Sequence, residues 1–122
     1  MGVVTAHVEF SEALKEMGVK VTFIFAGKHK VEGNPYEKLP EGAKQRIQAR
    51  IDRIYGEFTG LVARKRGMDE QAVRDTEALT FDASDALDVD FADRVGAMEE
   101  ELVIFSQEAE PESELMATTP KK

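Results

Sequence analysis

The chain has 122 residues, 42% of them hydrophobic, and its 24 acidic against 16 basic side chains give a net charge of −8. That length suits one small domain rather than two, and the acidic balance argues against nucleic acid as a primary partner, because phosphate binding needs clustered Lys and Arg. With no cysteine there is neither disulfide nor thiolate chemistry, and two histidines alone do not make a zinc cluster.

In chain order, residues 2–8 read as a short strand that starts abruptly at Met1, the start expected of a piece of a larger domain. Phe10, Ala13, Leu14 and Met17 recur at helical spacing, and Gly18 stands where a left-handed helix cap belongs. The apolar run Val19, Val21, Phe23, Ile24 and Phe25 predicts a buried strand over 19–26. Strand, helix, strand is the pattern of a βαβ crossover with parallel pairing.

A glycine-flanked loop follows, Gly27-Lys28-His29-Lys30-Val31-Glu32-Gly33-Asn34-Pro35-Tyr36. Loops held on rigid elements carry much of enzyme chemistry, and a lysine serves as a base once burial or a neighbouring cation disfavours its charged form. Lys28 is such a neighbour for Lys30. On the residues alone, Lys30 and His29 read first as solvated loop side chains with no chemical part. The loop is not a phosphate loop, because no Lys-Ser or Lys-Thr follows its glycines.

Pro40 opens a long amphipathic helix over 40–66, with Ile47, Ile51, Ile54, Phe58 and Leu61 on one face and Gly67 as its stop. That stripe predicts core or subunit interface, and Gly56 and Gly60 within it suggest close packing. A weaker helix is expected over 68–78, a short strand over 79–81, and a brief helix capped by Asp82. After a break at Val95-Gly96-Ala97, a last helix over 98–105 should turn Leu102 and Phe105 inward. Residues 106–122 are acidic and poor in apolar side chains, which predicts a disordered tail. Asp82, Asp85, Asp88, Asp90 and Asp93 lack the ligand order of an EF-hand and read as caps and surface charge, so no metal is assigned. No apolar run approaches the ~20 residues of a membrane span, Met1-Gly2-Val3-Val4 lacks the basic start of a signal peptide, and Ala6 breaks the myristoylation pattern. The chain reads as soluble.

Phe10-Ser11-Glu12-Ala13-Leu14, the valine-rich run, Gly27-x-His29-Lys30 and Gly33-Asn34-Pro35-Tyr36 together resemble the signal peptide peptidase A family of serine peptidases. The resemblance runs from Met1 to Phe105 and is strongest to the branch found as capsid-assembly proteases of lambda-type phages. It implies an α/β fold, the C-terminal half of a ClpP/crotonase-like domain over 1–105. It also implies a Ser/Lys dyad that cleaves peptide bonds, with Lys30 as the base and no cofactor. The family's nucleophilic serine lies upstream of everything present here, and none of Ser11, Ser84, Ser106 or Ser113 takes its place. The family's Gly-Leu-Val-Asp is replaced by Asp90-Phe91-Ala92-Asp93, so the turn there differs. Implied partners are a protein or peptide substrate, further copies of the chain and phage head proteins, in host cytoplasm or prohead. No membrane partner is implied, and substrate-binding residues are not assigned. A second expectation is a non-catalytic remnant or assembly module that keeps only the oligomerisation surface.

Overall fold

The computed structural model describes residues 1–109, and their regular elements are helices: α1 Ser11–Glu16, α2 Glu41–Arg66, α3 Glu70–Asp75, α4 Ala83–Asp88 and α5 Met98–Ala109. The chain divides into two compact units, Met1–Thr80 and Phe81–Lys122.

In the first unit the helix ends follow the sequence closely. Gly18, at φ +69°, lets its own N–H donate to Lys15 O (3.1 Å) and that of Val19 to Leu14 O (2.9 Å), closing α1 in a Schellman turn. Gly67, at φ +65°, ends α2 the same way, with Met68 N donating to Ala63 O at 2.9 Å. α2 spans 26 residues, about 39 Å at the usual helical rise. α3 packs against it through the fully buried Val73, and Ala43, Thr59, Ala63 and Thr76 complete the small core.

Gly56 and Gly60 lie beside the α2–α3 contact, at distances a methyl group could largely occupy. A Cβ on Gly56 would stand 3.6 Å from the Arg74 guanidinium, and one on Gly60 would stand 3.7 Å from the Glu70 carboxylate. Thr59 donates to Glu70 Oε1 at 2.8 Å, Arg74 Nη2 donates to the same oxygen at 2.6 Å, and the guanidinium lies 4.9 Å above the Tyr55 ring. The Thr59 hydroxyl and then Arg74 hold the Glu70 carboxyl below the usual carboxylate range.

Three expectations need correction here. Residues 2–8, 19–26 and 79–81 are not strands, so the α/β architecture is not seen among the described residues. The apolar alternation belongs to each segment, but a ladder needs a partner strand, and here none pairs with another. Ile24 is accordingly 99% and Val4 91% exposed, and Leu79 N closes a turn onto Thr76 O instead. Among the described residues the α2 stripe is not core either, which leaves subunit interface of its two expected roles. Ile47 and Ile51 are half-buried, while Ile54, Phe58 and Leu61 are exposed; the helix buries its small-residue line Ala43, Thr59 and Ala63 instead. The helix expected over 68–78 is shorter, because Glu77 and Ala78 take left-handed backbone that ends it.

In the second unit Asp82 caps α4 as expected, accepting from Asp85 N at 3.0 Å. That N–H and the Ser84 hydroxyl hold its carboxyl below the usual range. Phe81 meets Phe91 edge to face at 5.7 Å. α5 runs on past the expected end to Ala109, with Arg94 bridging to Glu101 and Glu108 at 2.9 Å each. Leu102 and Phe105 are exposed rather than inward-facing, because no other described element of this unit packs on that face. Ser106 to Ala109 are helical, and the rest of the expected tail lies outside the described residues.

Candidate active-site loop

The loop between residues 26 and 40 is built from consecutive tight turns. Gly27 at φ +94° and Gly33 at φ +76° adopt backbone that L side chains resist, and this lets the chain reverse at both ends of the lysine segment. Between them Lys30 N donates to Gly27 O (3.0 Å), Glu32 N to His29 O (3.3 Å) and Asn34 N to Val31 O (3.3 Å).

Asn34 organises the exit from these turns. Its Oδ1 accepts from Tyr36 N at 2.8 Å, an Asx turn, while Nδ2 donates to Val31 O at 2.8 Å and Glu37 Oε2 at 3.0 Å. The same stretch is tied to the rest of its unit. His7 Nε2 donates to Asn34 O at 2.9 Å, Phe10 N donates to Pro35 O at 2.7 Å, and the Tyr36 ring lies 6.3 Å from that of Phe23. Lys38 meets Glu12 at 3.2 Å, an exposed pair of little weight.

Lys30 stands exposed at the outer side of these turns, and among the described residues no carboxylate pairs with it. An unpaired amine on a braced turn is free to face an incoming group. Lys28 is also exposed and borders a shallow hollow of about 200 Å³ beside Glu32 and Lys38. His29 donates from Nδ1 to Glu32 Oε1 at 2.6 Å, and Glu32 in turn takes the Arg46 guanidinium from α2. The His29 ring and then Arg46 hold the Glu32 carboxyl below the usual carboxylate range. Neither Glu32 nor Arg46 is legible as a site residue in sequence. The i,i+3 spacing of His29 and Glu32 was the only available signal, and Arg46 lies 14 residues further on.

Three of the chain's serines can be placed. The Ser11 hydroxyl is shielded from solvent, Ser84 donates to Asp82 Oδ1 at 3.0 Å and Ser106 to Val103 O at 2.7 Å. The Ser84 and Ser106 hydroxyls are exposed and donate locally, and that of Ser11 is shielded. Ser113 lies outside the described residues. Within the first unit, a groove of about 780 Å³ separates residues 3–7 from α2, with Ile47, Ile51 and Ile54 on its helix side.

Comparison with known proteins agrees with the loop's resemblance. Over 95 residues the chain is 38% identical to capsid assembly protease C of Escherichia phage lambda, which covers 78% of this chain and 22% of the phage protein. It is 37% identical over 95 residues to the head-tail preconnector protein GP5 of Enterobacteria phage P21, covering 78% and 19% of the two chains. A putative signal peptide peptidase SppA of Enterococcus faecium is 27% identical over 109 residues, 88% of this chain and 32% of that protein. The chain therefore spans about a fifth of the length of the two phage relatives. Residues 1–111, which include the whole lysine loop and both helices of the α2–α3 pair, match the sequence pattern of peptidase family S49, and the chain belongs to that family.

Proposed function

We propose that this chain is the lysine-bearing part of a Ser/Lys serine endopeptidase of the phage capsid-maturation kind, with Lys30 as general base. The observation that carries the reading is the placement of Lys30, exposed and unpaired on a turn braced from four directions, inside the region matched to a peptidase family. In such a dyad an uncharged lysine takes the proton of a serine hydroxyl as the oxygen attacks the peptide carbonyl, and backbone N–H groups receive the developing oxyanion. In this reading the serine comes from polypeptide outside this chain, because none of Ser11, Ser84, Ser106 or Ser113 stands in the segment where the resembled family carries its nucleophile. Covering the loop with that polypeptide also removes water, which disfavours a charged amine and suits a base working near neutral pH.

The same addition accounts for the exposed apolar segments. Residues 2–8 and 19–26 keep strand-like alternation and free backbone edges, so they become strands of a ClpP/crotonase-like sheet once neighbouring polypeptide pairs with them. The α2 face of Ile54, Phe58 and Leu61 is covered in the same assembly, either within the completed domain or against further copies of the chain. A protein substrate, association with phage head proteins and action in the host cytoplasm or prohead belong to this reading, with the phage relatives as its support.

The test is to join the chain to the upstream serine-bearing segment of a lambda-type relative and assay cleavage of unfolded casein. The joined protein should cleave and the chain alone should not. Cleavage by the chain alone, or stoichiometric labelling of one of its own serines by a fluorophosphonate, would refute the assignment.

A further inference from the structure

One carboxylate in the lysine turn takes three donors from two parts of the chain. Glu32 Oε1 accepts from His29 Nδ1 at 2.6 Å and from Arg46 Nη2, while Oε2 accepts from Arg46 Nε at 3.1 Å. Two parallel N–H donors on one carboxylate is the geometry in which a partly exposed ion pair holds best. Arg46 belongs to the second turn of α2, the longest helix of its unit, and His29 is the residue directly before Lys30.

The other anchors act further along. His7 and Phe10 bond Asn34 and Pro35, and Asn34 braces the exit of the turn, so they fix its later side. At the earlier side Gly27, with φ +94°, supplies a flexible joint and no side chain. Among the described residues Glu32 alone connects the His29-Lys30 stretch to a helix through side chains. Lys28, Glu37 and Lys38 of the loop border the same hollow as Glu32.

We propose that Glu32 is a positioning residue for Lys30, holding the turn that presents the amine by clamping His29 and Arg46 together. This rests on the reading of Lys30 as base, because a general base tolerates little displacement, about 0.5 Å, from its productive geometry.

The experiment is amide hydrogen exchange on the full chain, comparing wild type with Glu32→Gln, Arg46→Gln, the double variant and Arg46→Lys. Exchange at the Lys30 and Glu32 amides should rise about two- to fivefold in each single Gln variant. The double variant should add nothing, and Arg46→Lys should recover part of the protection. Because the folded carboxyl titrates below its ordinary range, the clamp is fully present above that range and is lost as pH falls through the lowered value. Acid should therefore loosen the turn in wild type and leave Glu32→Gln unchanged. Wild-type exchange in the single variants, or additive effects in the double, would overturn the positioning role. No cleavage is involved, so this result is separate from the fate of Lys30 as base. If Lys30→Arg leaves a joined peptidase fully active, the base assignment fails and the clamp loses its catalytic purpose, whatever the exchange data show.

Discussion

Val73→Ala removes the largest apolar side chain that is fully buried among the described residues, at the contact of α3 with α2. Two carbons leave the contact, which forfeits roughly 1.6 kcal/mol of transfer free energy. The void of roughly 50 Å³ adds about 1.2 kcal/mol if the neighbours stay in place. Thr59 and Ala63 lie in the interior of the 26-residue α2 and have little freedom to close that space, so most of the penalty should survive and the expected loss is about 2–3 kcal/mol. Urea unfolding followed by helical circular dichroism measures it, with the midpoint moving down at unchanged slope. Ile24→Ala is the internal control: at 99% exposure its side chain should shift stability by less than about 0.5 kcal/mol. A loss below about 1 kcal/mol for Val73→Ala would mean that α3 is not docked through this residue.

Gly56→Ala should stabilise the chain by about 0.5–1 kcal/mol, seen as a higher melting temperature, because the added methyl meets Arg74 at an ordinary 3.6 Å while helix propensity improves. Glu70 titrates below its ordinary range when folded, so its contribution is present above that range and fades as pH falls through the lowered value; an acid titration by circular dichroism should show a shallower loss in Glu70→Gln than in wild type. Ile24→Asp should leave the isolated chain's melting unchanged yet abolish assembly of the joined peptidase, since the proposed sheet would bury that side chain.

What could be read from sequence was what is decided locally. Gly18 and Gly67 end helices because a left-handed residue closes the last carbonyls, and Asp82 starts one because its side chain reaches a free N–H. The strand expectation for 19–26 rests on alternation that is present, but pairing is a property of two segments, and residues 2–8 and 19–26, both described, form no ladder with each other. The stripe of Ile54, Phe58 and Leu61 shows the same limit, since periodicity marks an apolar face without saying whether its own chain or another copy covers it. Leu102 and Phe105 repeat that lesson in α5. At the loop, the glycines and Asn34 were readable from turn chemistry, whereas the Glu32 clamp depends on Arg46 arriving from another element. His29, read as an ordinary loop residue, becomes part of that clamp.

The most direct measurement on the central claim is cleavage of an unfolded substrate by the chain joined to a serine-bearing upstream segment, with Lys30→Arg compared against Lys28→Arg. Arginine keeps the positive charge and cannot give up its proton in the working range, so the Lys30 variant should lose activity by about 10³-fold or more while assembling normally. Lys28→Arg should keep most of it. Full activity in the Lys30→Arg protein, with the Lys28 variant inactive or equal, would contradict the account.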